Sequence, residues 1–118
     1  MEAADKIAVV EKYMRAVTNK DMNLIRKIYA DDATVEDPVG SEAWRGIAGV
    51  VEFYQKGFDV GAKLELTGPV RCAGNAAAFP FCCTAGNMKI QVIDVFEFNS
   101  AGKVVSMKAY WGPENLAA

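Results

Sequence analysis

The 118-residue sequence contains no histidine. Histidine is the side chain that most often acts as acid, base or metal ligand near neutral pH, so its absence excludes Ser-His-Asp and Cys-His catalysis. Any proton transfer has to use carboxylates, tyrosines, lysines or thiols whose pKa the fold has shifted. The sequence thus restricts the available chemistry before any motif is considered.

Cysteine is scarce as well. Cys72, Cys82 and Cys83 are odd in number, and two adjacent residues of a strand point to opposite faces. A disulfide framework is therefore not expected, and without CxxC or histidine spacing no metal site is expected either. These cysteines fit small apolar positions of a reduced, intracellular protein.

The sequence also lacks an excess of charge and a long apolar run. Thirteen basic residues face 15 acidic ones, for a net charge of −2, so nothing favours nucleic acid or an anionic membrane as partner. The first six residues lack the basic and apolar regions of a signal peptide, and no stretch approaches membrane-spanning length. We expect a single domain over residues 1–118, located in the cytoplasm.

Helical spacing of apolar residues predicts three helices. The first begins near Asp5 and carries Tyr13 on the same face as Val10 and Val17, so Tyr13 points inward. A second pattern runs from Leu24 to Tyr29, ahead of two aspartates. The third helix has its apolar residues at Ile47, Val50, Val51, Tyr54 and Phe58.

The remaining patterns predict strands. Ala33–Asp37 is a short strand that Pro38 ends, and Gly86-Asn87 is a two-residue signal for a primed hairpin turn. The other predicted strands span residues 64–67, 70–73, 76–85, 88–98 and 103–111. This order predicts an α+β fold, with three helices packed on a strongly curved, mainly antiparallel sheet.

Two acids fall where the strand pattern requires apolar residues. Asp94 shares a strand face with four large apolar side chains: Ile90, Val92, Phe96 and Phe98. Asp37 likewise follows Ala33 and Val35 on the inward face of its strand. A buried carboxylate without partners is costly, and the common outcome is a raised pKa that keeps the acid neutral and able to donate a hydrogen bond.

Each of these polar residues alone would be read as structural. An isolated strand aspartate commonly caps a loop or pairs with lysine, and Tyr13, Tyr29 and Tyr54 fit core positions. The hypothesis of a site depends on Tyr13, Asp37 and Asp94 occurring together on apolar faces.

In the last strand the period of two places Val105, Met107, Ala109 and Trp111 on one face.

One ten-residue run resembles a known family. Residues 29–38, Tyr-Ala-Asp-Asp-Ala-Thr-Val-Glu-Asp-Pro, are similar to the segment around the catalytic base of bacterial ketosteroid isomerases. Lys12-Tyr13, Leu66–Arg71 and Val92–Val95 match further blocks in order and spacing. Phe53-Tyr54 and residues 109–111 also fit, so the resemblance covers nearly the whole chain.

The resemblance implies a fold, an activity and roles for residues. The fold is the cone of nuclear transport factor 2, the assembly a homodimer, and the reaction a cofactor-free Δ5-to-Δ4 isomerisation of a 3-oxosteroid. Asp37 is then the general base, while Tyr13 and a protonated Asp94 are donors to the dienolate oxygen. The resemblance gives Tyr29 and Tyr54 a supporting role and makes the remaining four residues the walls of a cavity for an apolar, steroid-like substrate: Phe53, Phe81, Met107 and Trp111.

Two alternatives remain open because fold does not fix function. One is another enzyme of the same cone, such as a dehydratase, a cyclase or an epoxide hydrolase. The other is a non-catalytic domain that binds an apolar ligand or a protein. The hairpin at Gly86-Asn87 is shorter than in the isomerases, which predicts a more open cavity mouth.

Overall fold

The computed structural model describes residues 1–117. It contains three α-helices, which are α1 (Ala3–Thr18), α2 (Met22–Ile28) and α3 (Gly46–Asp59), and a short 3-10 helix at Pro113–Asn115. The eight strands are β1 (Tyr29–Glu36), β2 (Trp44–Arg45), β3 (Lys63–Leu66), β4 (Arg71–Ala73), β5 (Ala76–Ala85), β6 (Met88–Phe98), β7 (Val104–Tyr110) and β8 (Leu116–Ala117). None of the helices in the described residues is long and apolar enough to cross a membrane.

Local side-chain contacts set the starts of the first two helices. The Glu2 backbone N–H donates to Asp5 Oδ2 at 2.9 Å, and the Leu24 N–H donates to Asp21 Oδ1 at 3.1 Å. Both bonds satisfy N–H groups that a helix start leaves without a partner. They stabilise the first turns of α1 and α2.

The strands form one mixed sheet that does not close into a barrel. Its order is β2-β1-β7-β6-β5-β3, with β4 pairing β5 and β8 pairing β6. Only the pairing of β1 with β7 is parallel among the described strands. The three helices lie against this sheet, which confirms the predicted α+β cone.

The core lies between the helices and the inward face of the sheet. It joins α1 and α3 to the long central strands through Val10, Val50, Phe79 and Phe96, each fully buried. Phe96 also meets Tyr13 edge to face, with ring centroids 5.0 Å apart, an arrangement that stabilises aromatic pairs. The aromatic cluster thus holds the tyrosine of α1 against the sheet.

Three details of the sequence reading were wrong. Tyr29 belongs to β1 instead of α2, because that strand begins four residues earlier than predicted. A bulge lies opposite Glu97 and Phe98, where β7 uses one extra residue between Val104 and Ser106. Val104, and not Val105, is therefore the buried residue, since a bulge reverses the alternation of faces.

The two-residue strands β2 and β8 were also not predicted, because pieces this short carry no periodic pattern. The hairpin prediction was correct. Gly86 and Asn87 connect paired Ala85 and Met88, and Gly86 has φ +60°, which fits a primed turn.

Candidate active site

A cavity of about 290 Å³ opens between the helices and the sheet. Its wall is mainly apolar, with a few polar groups, which is the usual composition of a site for a small organic ligand. The lining residues include Tyr13, Asp37, Phe53, Tyr54, Phe81, Asp94 and Trp111. The polar side chains that the sequence singled out therefore converge on one cavity, except Tyr29, which lies behind it.

Asp94 is fully buried at the inner part of this cavity. Its strand, β6, places it opposite Phe79 on β5 and Ala109 on β7, and its exposed fraction is 0%. Neither carboxyl oxygen has a hydrogen-bond partner among the described residues. Burial, with a further contribution from Asp37, raises the pKa of Asp94 well above its ordinary range, although the nearby Tyr13 hydroxyl lowers it in part.

An unpartnered buried acid is unfavourable unless something else binds it. The protonated form carries an O–H that can donate into the cavity. The surroundings of Asp94 thus favour a protonated carboxyl group, and no acceptor for its proton lies within hydrogen-bond distance among residues 1–117.

Three tyrosine hydroxyls form a chain that ends at the cavity. Tyr29 and Tyr54 hydroxyl oxygens lie 2.5 Å apart, and the Tyr54 hydroxyl donates to that of Tyr13 at 2.9 Å. Because Tyr13 accepts from Tyr54, its own proton is free to point into the cavity. Burial raises the pKa of all three hydroxyls well above 10, and Asp94 adds to that shift.

Asp37 lies just after β1 and beside the residue that follows β7. The indole Nε1–H of Trp111 donates to Asp37 Oδ1 at 2.6 Å, a contact between residues 74 positions apart in sequence. Partial burial raises the pKa of Asp37, and the Trp111 hydrogen bond lowers it. A hydrogen bond to the ionised form favours that form, so Asp37 is the acid of the two that can stay charged.

Two of the nine predicted site residues do not line the cavity. Tyr29 reaches it only through Tyr54, as its supporting role requires. Met107 was predicted as a wall residue, but it is 1% exposed, packs in the core and does not line this cavity. In the sheet Met107 lies between Val35 of β1 and Phe96 of β6.

The sequence reading missed several wall residues. Val17 of α1 and Leu64 of β3 line the cavity. Both fit the apolar spacing of their elements, so their inward direction could have been predicted from the sequence. Gly57 on α3, together with Cys83 and Ala85 on β5, also lines the cavity, but small residues give no signal for a ligand site. Burial raises the pKa of the Cys83 thiol to about 11, with Asp37 adding to the shift, so this thiol is a weak nucleophile near neutral pH.

Metal binding has no support in this geometry. Residues 1–117 contain no group of three or more cysteine, aspartate or glutamate side chains arranged to hold a metal ion. Asp37 accepts a hydrogen bond from the indole N–H of Trp111, and Asp94 is fully buried. Neither carboxyl group belongs to such a cluster. The cavity therefore presents two carboxyl groups in different surroundings, together with the Tyr13 and Tyr54 side chains.

Comparison with known proteins assigns the class of this domain. A family described as the SnoaL-like domain matches residues 10–107, which is most of the chain. The chain belongs to this family, and its α+β cone is the nuclear transport factor 2-like fold expected for it.

One relative narrows the class further. The chain is 40% identical over 120 residues to a protein named Steroid Delta-isomerase from Nocardioides simplex, covering 97% of this chain and 95% of the relative. This similarity confirms the resemblance to ketosteroid isomerases seen in the sequence. Among solved structures, the fold is similar to that of SalBIII, described as an epoxide hydrolase/cyclase-like enzyme in pyran ring formation in the polyether salinomycin. The TM-score is 0.92 and the sequence identity 26%, and the match covers 100% of this chain and 99% of that one.

Proposed function

We propose that the protein is a steroid Δ-isomerase, moving the double bond of a 3-oxo-Δ5-steroid into conjugation without a cofactor. The observation that carries the proposal is the pair of aspartates in one cavity, one hydrogen-bonded by Trp111 and the other buried without a partner. The relative named Steroid Delta-isomerase supports it. The reaction needs a charged base and a neutral donor together, and the two settings favour those two states.

In the proposed mechanism Asp37 moves a single proton. Its carboxylate removes a proton from the carbon between the ketone and the double bond, and the electron pair shifts onto the ketone oxygen to form a dienolate. The protonated Asp37 then returns that proton to the γ carbon, and the electrons move back to leave the conjugated ketone. No atom is gained or lost, so no co-reactant is needed.

Tyr13 and Asp94 stabilise the dienolate oxygen. Tyr13 has its proton free because it accepts from Tyr54, and burial favours the protonated form of Asp94. Donors aimed at a developing oxyanion in a dry site are typically worth about 10²–10³ in rate. Tyr29 and Tyr54 act through Tyr13 by fixing the orientation of its hydroxyl.

The walls suit a flat apolar substrate. Phe53, Phe81 and Trp111 contribute aromatic surface to the cavity, and the cavity volume of about 290 Å³ lies near the lower end of the roughly 300–1,000 Å³ of small-molecule sites. An uncharged ligand also fits the chain's small net charge of −2. These features support a steroid-like ketone as the substrate.

The direct test measures isomerisation by the ultraviolet absorbance of the conjugated ketone. We expect the native protein to convert a Δ5-3-ketosteroid, and Asp37→Asn to lose about 10²–10⁴ of the rate because the base is removed. Glu36→Gln is the matched control, since it removes a neighbouring carboxylate outside the cavity. No conversion by the native protein, or undiminished conversion by Asp37→Asn, would exclude this function.

The similarity to SalBIII favours epoxide opening as a second candidate. In that reaction Asp37 would deprotonate an attacking hydroxyl while Asp94 protonates the epoxide oxygen, so the same acid and base are used. Incubation with a hydroxy-epoxide and detection of its cyclic ether distinguishes this activity. Cyclic ether formation without steroid isomerisation would replace the first proposal by this one.

The assembly and location remain predictions. Ile93 and Tyr110 pair side by side on the outer face of the sheet and are each 49% exposed, which supports a homodimer through this face. The cytoplasmic location has only the sequence composition behind it.

A further inference from the structure

Lys6 is, beside Asp94, the other residue of a charged type that the fold buries. Among residues 1–117 only these two are buried, with Lys6 6% exposed and Asp94 0% exposed. Asp94 belongs to the cavity described above, whereas Lys6 lies near the start of α1 and has no part in the proposed reaction. Lysine is almost never buried unless its charge is paired, so its position requires a separate explanation.

The Lys6 ammonium group has a hydrogen bond but no counter-charge. Its Nζ donates to the carbonyl oxygen of Gly74, in the turn between β4 and β5, at 2.6 Å. This contact uses one of three N–H donors, and no carboxylate of residues 1–117 forms an ion pair with Nζ. The nearest acids in sequence, Glu2 and Asp5, are exposed. A buried ammonium without an anion is unfavourable.

A second cavity, of about 210 Å³, lies beside this ammonium group. Gly74, whose carbonyl oxygen accepts from Lys6, is part of its wall. None of its residues lines the cavity that contains Asp37 and Asp94. Phe98, on this wall, follows Asp94 by four residues, which corresponds to about 13 Å of strand. The complete wall is Met1, Lys6, Gly74, Asn75, Phe98 and Asn99.

The other groups at this cavity also suit an anion. The side-chain Nδ2 of Asn75 makes only a long contact of 3.5 Å with the Phe98 carbonyl oxygen, so this amide can donate to a ligand. Lys6 is the fourth residue of α1, and the N-terminal end of a helix carries a partial positive charge. No acidic residue belongs to the wall. The donors and the charge therefore favour a ligand with negatively charged oxygen atoms.

We propose that this cavity, here called the Lys6 pocket, binds a small oxyanion of the phosphate or carboxylate type. The oxygen atoms of the anion accept from the Lys6 ammonium and the Asn75 amide, and the anion supplies the missing counter-charge. Because the pocket joins α1 to the β4–β5 turn and to the end of β6, the bound anion stabilises this end of the fold. The inference does not rest on the proposed function, since Lys6 takes no part in the reaction.

The first test follows thermal unfolding of the full chain in a phosphate series, with sodium chloride keeping the ionic strength constant. We expect a saturating rise in Tm, of about 4–8 °C once phosphate reaches roughly ten times Kd. Lys6→Met should lose this rise. Lys12→Met is the matched control, because Lys12 is an exposed lysine of the same helix, and it should keep the rise. The weak general stabilisation by phosphate does not saturate and remains in every variant.

The same variants separate an anion site from a simple tether between α1 and the turn. If Lys6 only tethers the turn, Lys6→Met lowers Tm by the same amount with and without phosphate. In the proposed pocket Lys6→Met is less stable than the native protein only at saturating phosphate, because without phosphate it removes a buried charge that has no partner. An equal difference in Tm in both buffers would overturn the Lys6 pocket.

An NMR titration of the native protein gives a readout that needs no variant. The backbone amide signals of Gly74, Asn75 and Asn99 should shift with phosphate along one saturation curve, while that of Asp94 stays in place. A parallel titration with acetate at the same ionic strength identifies the preferred anion as the one with the lower Kd. Saturating shifts with either anion support the pocket, and their absence with both would exclude it.

Discussion

Asp94 and Asp37 are identical side chains in one cavity, but they lie in opposite surroundings. Asp94 is in the middle of β6 with strands on both sides, fully buried and without a hydrogen-bond partner in the part of the chain that the structure describes. Asp37 lies beyond the end of β1, incompletely buried, with an indole N–H bound to its carboxyl group. The position along a strand thus gives the two carboxyl groups different burial and different hydrogen-bond partners.

The difference follows from two opposing effects on the pKa. Burial raises the pKa of both residues; at Asp94 the charge of Asp37 raises it further against the lowering effect of Tyr13, whereas at Asp37 the Trp111 hydrogen bond opposes burial. The proposed mechanism uses this difference to hold an acid and a base of the same chemical type in one cavity. Other enzymes also contain two carboxyl groups whose different environments separate their pKa values.

The largest expected effect is on the isomerase rate, and it tests whether each aspartate is needed as a charged carboxylate or as a hydrogen-bond donor. An amide can donate a hydrogen bond but cannot accept a proton, so Asp94→Asn should retain far more isomerase rate than Asp37→Asn, which loses about 10²–10⁴. Asp94→Ala removes the donor as well and should lose about 10²–10³. Initial rates at saturating steroid measure all three. Equal losses for the two asparagine variants would show that both carboxyl groups need their charge.

The next effect is on stability. A raised pKa means that the native state binds more protons than the unfolded state, so Asp94 lowers stability as pH rises above its ordinary value of 3.8. Asp94→Asn removes this loss, and its free energy of unfolding relative to the native sequence should grow by up to about 1.4 kcal/mol per pH unit. Urea unfolding at pH 4, 5, 6 and 7 measures the difference.

Asp37→Asn is the control in that series. Its pKa shift has the same sign but is opposed by the Trp111 hydrogen bond, so the gain with pH should be smaller. A pH-independent difference for Asp94→Asn would mean that Asp94 ionises in the fold as it does in the unfolded chain.

The smallest effect concerns the acidic limb of the pH–rate profile. Activity should rise with pH as Asp37 ionises, and Trp111→Phe removes the bond that favours the ionised form. We expect the acidic limb to shift to higher pH by about one unit. The measurement is kcat/KM for the steroid as a function of pH. Asp94→Asn should leave the limb in place, and a downward shift in Trp111→Phe would contradict the assignment of Asp37 as base.

The sequence was most informative where a polar residue interrupted an apolar pattern. Tyr13 and Asp94 were identified by periodicity alone, because regular helices and strands carry their face assignments in the spacing of residues. The structure confirms both as buried and brings both to the cavity. The surroundings of Asp37 were harder to predict, because this residue lies just beyond the end of β1. Its indole partner, Trp111, is 74 positions away in the sequence.

Other features had no local signal. Tyr29 continues the apolar spacing of Ile25 and Ile28, so the helix-to-strand change at that residue could not be read from the pattern. The bulge beside Val104 and the parallel pairing of β1 with β7 depend on partner strands. Gly57 lines the cavity but was not predicted, because a missing side chain gives no pattern that points to a ligand.

The parallel pairing of β1 with β7 also determines when the site can form during synthesis. Asp37 and Trp111 are 74 positions apart, and β7 must be placed between β1 and β6 before they can meet. Contacts of such long sequence separation form slowly, because the loop between them has to be closed first. In a growing chain the hydrogen bond between Asp37 and Trp111 can therefore form only after the last long strand has emerged.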